Sequence, residues 1–92
     1  MEQVKKLVIK VFEEIDGCCE YCRCALEDPG LSDLCRDVAS SKLENASRLM
    51  SAVTDKASAQ EENSPLRCVV DILSEVASER MQAAKTMMSS IK

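Results

Sequence analysis

Apolar residues recur along most of this chain at three- and four-residue spacing, the period of an α-helix, and nowhere settle into the two-residue alternation of a half-buried strand. The first segment aligns Val4, Leu7, Val8, Val11, Ile15, Cys18, Cys22, Ala25 and Leu26 on one face. The last does the same with Leu66, Val69, Val70, Leu73, Val76, Ala77, Met81, Ala84, Met87, Met88 and Ile91. Between them, Leu31, Leu34, Cys35, Val38, Ala46, Leu49, Val53 and Ala57 make a third face, but Lys42 and Asn45 fall in its middle. Polar groups on a core stripe cost free energy unless partnered. Lys42 and Asn45 are therefore candidates for a polar centre in the core or at an interface.

Two turn signals separate these faces. Asp28-Pro29-Gly30 is the first; Glu61-Glu62-Asn63-Ser64-Pro65 is the second, with Ser64 suited to an N-cap and Pro65 to the first helical position. The predicted elements are helices at 2–27, 31–61 and 65–91, all within one domain spanning 1–92. At 1.5 Å per residue each would be roughly 40 Å long. Rods of equal length joined by short turns lie antiparallel, so the expected fold is an all-α, antiparallel three-helix domain: a helical hairpin followed by a C-terminal helix. A chain of 92 residues builds only a thin core. Assembly into a larger helical bundle, as a homo-oligomer, is the further expectation.

Composition removes several function classes. With 12 basic and 16 acidic residues the formal charge is −4, and no basic run exceeds two residues, so phosphate-driven nucleic-acid binding is not expected. The early apolar run is broken by Lys5, Lys6 and Lys10 and followed by Glu13-Glu14, unlike a signal peptide. No stretch approaches the length of apolar sequence that crosses a bilayer, so no membrane association is expected. Six cysteines without an export signal suggest a reducing compartment, and the cytoplasm is the expected location.

The chemistry in the sequence lies mainly in sulfur. Cys18, Cys19, Cys22 and Cys24 cluster near the end of the first helix, and Cys35, early in the second, comes back toward Cys18 and Cys22 across an antiparallel hairpin. Soft thiolates suit Cu(I), Zn or an iron–sulfur cluster, which makes Cys18, Cys22 and Cys35, with Cys19 beside them, the candidate metal ligands. The competing expectation is that no cofactor is bound. Free cysteine is a small apolar residue that packs well in a core almost without aromatics. Cys24 and Cys68 project away from the apolar faces. Cys19-Glu20-Tyr21-Cys22 has the Cys-x-x-Cys spacing of redox proteins but neither their α/β pattern nor basic neighbours to lower a thiol pKa. With no histidine and only two glycines, neither a Ser-His or Cys-His nucleophile nor a glycine-rich phosphate loop can be assembled, so no enzymatic activity is expected. Met81, Met87 and Met88 form a soft C-terminal group that suits adaptable partner binding.

The run Glu20-Tyr21-Cys22-Arg23-Cys24-Ala25-Leu26-Glu27-Asp28-Pro29-Gly30-Leu31, with Leu34 and then Lys42-Leu43-Glu44-Asn45-Ala46-Ser47-Arg48-Leu49, resembles the ferritin-like helical hairpin, in particular that of the short encapsulated ferritins. In that family an Asp-Pro turn precedes a Glu-x-x-His pair on the second helix. Anchored on Asp28-Pro29, the resemblance sets Lys42 and Asn45 at those two positions; a second register sets Glu44 and Ser47 there. The histidine is missing in either case, and in the first a cation replaces the glutamate. The resemblance therefore implies the hairpin and its pairing into bundles, without iron oxidation. Lys42 then either pairs with a carboxylate of the first helix, Glu13 or Glu14, in place of metal, or extends its ammonium to water from the edge of the stripe with Asn45 hydrated.

Three readings of function follow. The first is a noncatalytic helical interaction or assembly protein that self-associates or binds a partner helix. The second is a thiolate metal-binding protein, and the third a degenerate ferritin-like protein lacking ferroxidase activity.

Overall fold

The computed structural model of the chain describes residues 2–59 and 64–91; the turn residues Glu61, Glu62 and Asn63 and the predicted end of the second helix at 61 lie outside the described residues. Three long helices account for nearly all of it: α1 (Glu2–Glu27), α2 (Ser32–Ser58) and α3 (Pro65–Ser89). No strand occurs among the described residues. The protein is an all-α three-helix structure measuring 50 × 19 × 13 Å.

Both turns form as their residues dictate. The Asp28 carboxylate accepts a hydrogen bond from Gly30 N at 3.1 Å, and Pro29–Leu31 make one 3-10 turn. Leu31 is taken up by that turn, so α2 begins at Ser32 rather than 31. Ser64 caps α3, its hydroxyl accepting from Leu66 N at 3.2 Å with Pro65 at the first helical position. α3 stops at Ser89, two residues short of the predicted end, and Ile91 folds back into the core.

Each helix turns inward a seam on a four-three alternation, with buried Cys35 lying one turn ahead of it on α2. α1 turns inward Val4, Val8, Val11, Ile15, Cys18, Cys22 and Ala25; α2 turns inward Ala39, Leu43, Ala46, Met50, Val53 and Ala57. On α3 the seam runs through Val70, Ser74, Ala77, Met81, Ala84 and Met88 to Ile91. This seven-residue repeat is the pattern of helices that wrap side by side along their whole length. Gln3 of α1 meets Lys56 of α2 and Glu14 meets Lys42, so these two run antiparallel. Phe12 meets Arg80 and Cys18 meets Met88, so α3 runs parallel to α1.

The seam of α2 differs from the one the sequence suggested. Leu31 and Leu34, predicted as core, are 49% and 63% exposed, while Ala39, Leu43 and Met50 are buried in their place. Leu26, predicted on the core face of α1, is also exposed. The physical reason lies at the centre of α2. A seam through Val38, Lys42, Asn45 and Leu49 would force an ammonium and an amide into the core, whereas the neighbouring one through Ala39, Leu43, Ala46 and Met50 carries no polar side chain. α2 turns the clean stripe inward and leaves Lys42 and Asn45 half-buried on its flank.

Candidate functional site

The apolar interior divides into two clusters, and the one nearer the hairpin turn is built largely of sulfur. Cys18, Cys22 and Cys35 are buried there with Ala25, Ala39, Leu43, Ala84 and Ile91; Cys19, Met81, Met87 and Met88 pack against it half-buried. Alanines at 39 and 84, fully buried, let the three backbones approach closely and leave the longer sulfur side chains to fill the space between them. Arg36 closes this end, donating a 2.7 Å hydrogen bond to the Ile91 carbonyl. That clasp satisfies an acceptor just beyond α3 and holds Ile91 over the cluster.

Within it, the Cys18 thiol donates to the Met88 thioether, Sγ to Sδ 3.9 Å. Burial pushes Cys18 up to about 12, with the neighbouring Cys22 and Cys19 adding to the rise. Burial also raises Cys22, and Cys19 adds to it, while a contact with Cys18 acts in the opposite direction. Cys19 therefore lies close enough to the Cys18–Cys22 pair to raise both of its thiols. Cys35 shares the cluster without joining them: among the described residues no three Cys, Asp or Glu side chains converge as a metal-binding group. Cys18 and Cys22 lie one turn apart on α1 with Cys19 at their edge, and the Met88 thioether meets Cys18. The sequence had set Met81, Met87 and Met88 aside as a partner-binding group, and all three turn toward the interior. Helical spacing reports faces within one helix, but the register that brings Met88 to Cys18 is a property of the packed bundle.

Protonated, buried thiols are poor nucleophiles. All six cysteines are free, and Cys24 and Cys68 are exposed. A thiol reagent at neutral pH is expected to modify Cys24 and Cys68 in the native protein at least about tenfold faster than Cys18 and Cys22. Mass spectrometry of the labelled protein reads the order, and uniform labelling would contradict the packing described. Folding holds the Cys18 proton more tightly than the unfolded chain does. Its contribution to stability is therefore complete below the unfolded value of 9.0 and is lost as pH rises from there toward about 12. Urea denaturation of the metal-free, reduced protein across that range measures the decline, which Cys18→Ala should flatten.

The second polar feature is Lys42. Its Nζ lies 3.5 Å from Glu14 Oε2, the expected pairing with a carboxylate of α1. The stem crosses α1 at Gly17, where a Cβ would sit 2.7 Å from Lys42 Cδ. Glycine at 17 thus makes room for Lys42, a link invisible in the sequence because the two are far apart along the chain. Asn45 is not in this pair; its side-chain oxygen accepts from Arg48 on its own helix. A di-iron centre does not fit these residues. An ammonium occupies the position the resemblance gives to a carboxylate ligand, and no histidine exists to complete the set.

The surface is the third feature. Between α2 and α3 the flank is mainly polar, lined by Ser47, Ser51, Thr54, Asp55, Ser74 and Ser78 together with Met50 and Met81. Between α1 and α3 it is apolar, a groove formed by Val8, Ile9, Leu66, Val69 and Leu73 with the stem of Lys5 at its rim. Ile9 and Val69 remain 52% and 51% exposed in it. No helix among the described residues is long and apolar enough to cross a membrane. Comparison with protein-family models, curated proteins and solved structures finds no match to this chain.

Proposed function

We propose that this protein is a noncatalytic helical assembly module that self-associates through the groove between α1 and α3. The observation that carries the reading is the asymmetry of the two flanks of α3. One is lined by serines, threonine and aspartate, and the other leaves Ile9 and Val69 half in water beside Leu66 and Leu73. A three-helix arrangement with one apolar flank open has room for a fourth helix. A second copy, which carries the same seven-residue seams, is the occupant argued for here, and a partner helix of similar pattern is the alternative. Continuous apolar surface bounded by charge is characteristic of interaction sites. The buried, protonated thiols and the absence of histidine support a noncatalytic role. Six free thiols support a reducing, cytoplasmic setting. The Lys42–Glu14 pair supports the further reading that the hairpin is a ferritin-like one that has exchanged metal for an ion pair.

Light scattering and sedimentation across a concentration series test the assignment. The wild type is expected to form a dimer or higher oligomer. A double substitution, Ile9→Glu with Val69→Glu, is expected to weaken association about a hundredfold, the effect of losing one strong interface contact. Helicity by circular dichroism should be unchanged, since both side chains are already half-exposed. A wild type that stays monomeric, or a variant that associates equally well, overturns self-association through this groove.

A further inference from the structure

We propose that Cys18, Cys22 and Met88 form an all-sulfur site for one Cu(I) ion inside the hairpin end of the bundle. The site rests on the packing of sulfur in the core and not on self-association, so its test and that of the assembly reading fail independently.

The geometry carries the argument. Cys18 and Cys22 lie one turn apart on the same face of α1, both fully buried. Met88 reaches Cys18 from α3, with Sδ 3.9 Å from its Sγ. Metal–sulfur bonds of about 2.3 Å, the length found for zinc thiolates, hold the sulfurs of a trigonal site about 4.0 Å apart. The Cys18–Met88 separation of 3.9 Å already has about that value, so this edge of the site needs no spreading of α1 from α3.

The donor set selects the ion. Structural zinc takes four ligands and iron–sulfur clusters are held by four cysteines. Here, among the described residues, no third Cys, Asp or Glu side chain joins the pair. Two thiolates and a thioether form a soft set with a low ligand count, which suits Cu(I) among the ions soft sulfur binds. Binding breaks two S–H bonds, and both protons pass to water. Two copper–thiolate bonds form, Met88 donates a sulfur lone pair, and copper enters and remains as Cu(I), so no oxidant or reductant is required. Cys19, half-buried, packs against the same cluster at its edge.

The test is anaerobic titration of the reduced, full-length protein with Cu(I) against a chromophoric Cu(I) chelator, with circular dichroism confirming the fold. The expected result is one tightly held Cu(I) per chain, with copper absorption spectroscopy reporting sulfur as the only neighbour. Cys22→Ser should abolish this stoichiometric binding. Met88→Leu, which keeps the volume and the apolar character, should weaken it at least about tenfold while the protein remains folded. A variant with Cys24→Ser and Cys68→Ser, which removes both exposed thiols, should bind as the wild type does. Retention of affinity in both Cys22→Ser and Met88→Leu overturns the site, as does loss of binding in the Cys24/Cys68 variant. Tighter binding of Zn(II) than of Cu(I), with the same dependence on Cys22, overturns the assignment of the ion.

Discussion

Val70→Asp is expected to unfold the protein, whereas Val69→Asp, at the adjacent position, leaves it folded. Val70 is 2% exposed and packs with Val4, Val11, Ile15, Ala46, Met50 and Val53 in the larger core cluster. Aspartate there loses the burial of a valine side chain, about 1.5–3 kcal/mol, and strands a carboxylate with no cation among those neighbours. Leaving a charge buried and unpaired costs about 3–5 kcal/mol in its own right. Together these reach the lower part of the range of small-domain stabilities, about 5–15 kcal/mol. Val69, half in solvent at the groove, pays almost none of this. Urea denaturation followed by circular dichroism separates the two. Equal midpoints for the two variants would mean that the seam of α3 is not the one described. The pair also keeps apart two effects that a charge on α3 can confound: Val70 reports on folding and Val69 on association.

The second large effect concerns α3 itself. α1 and α2 pair along their full length and make the most extensive contact in the molecule, while α3 rests on both through a seam in which small residues, Ser74, Ala77 and Ala84, alternate with Val70, Met81 and Met88. An alanine contributes one methyl group to such a contact. The element held by the least apolar area is the first to open. Amide hydrogens of α3 are expected to exchange at least about tenfold faster than those at the centres of α1 and α2, a difference of about 1.4 kcal/mol in opening free energy. Ala77→Leu should widen it. Ala77 is fully buried, and forcing added carbons into a packed seam costs about 1–3 kcal/mol, borne here mainly by the docking of α3. Uniform protection across the three helices, or an Ala77→Leu variant as stable as the wild type, would count against this ordering. If the groove does receive a second copy, association should slow the exchange of α3 more than that of α2, because α3 forms one wall of the groove and α2 does not.

Much of the architecture was legible before any coordinate. The period of the apolar positions required helices. Asp28-Pro29-Gly30 and Ser64-Pro65 marked two of their boundaries to within a residue, because capping and the fixed backbone of proline are local chemistry. Local chemistry also sufficed to leave Cys24 and Cys68 in water and Cys18 and Cys22 inside, since those positions follow from one helix's own face. Even the Lys42–Glu14 pair was foreseeable, once the hairpin was granted, as a buried-edge ammonium seeking a carboxylate.

What a single helix cannot report is its rotation relative to its neighbours. α2 carries two adjacent stripes of similar apolar content, and only the cost of desolvating Lys42 and Asn45 against α1 and α3 decides which one is buried. That choice exposes Leu31 and Leu34 and buries Leu43 and Met50. The same limit applies to the sulfur cluster. The sequence put Cys35 beside Cys18 and Cys22 because a hairpin brings them to the same level, and it put Met88 on the apolar face of the third helix without pairing it with any thiol. In the packed bundle the sulfur that meets Cys18 is that of Met88, delivered by a helix whose seam runs through Val70, Ala77, Ala84 and Ile91. The sequence by itself determined which residues are helical, where the chain turns and which thiols are apolar-facing, because those properties depend on near neighbours along the chain. Which sulfurs meet, and which flank of α3 stays open, were decided by tertiary structure alone, because they depend on how three amphipathic rods share one core.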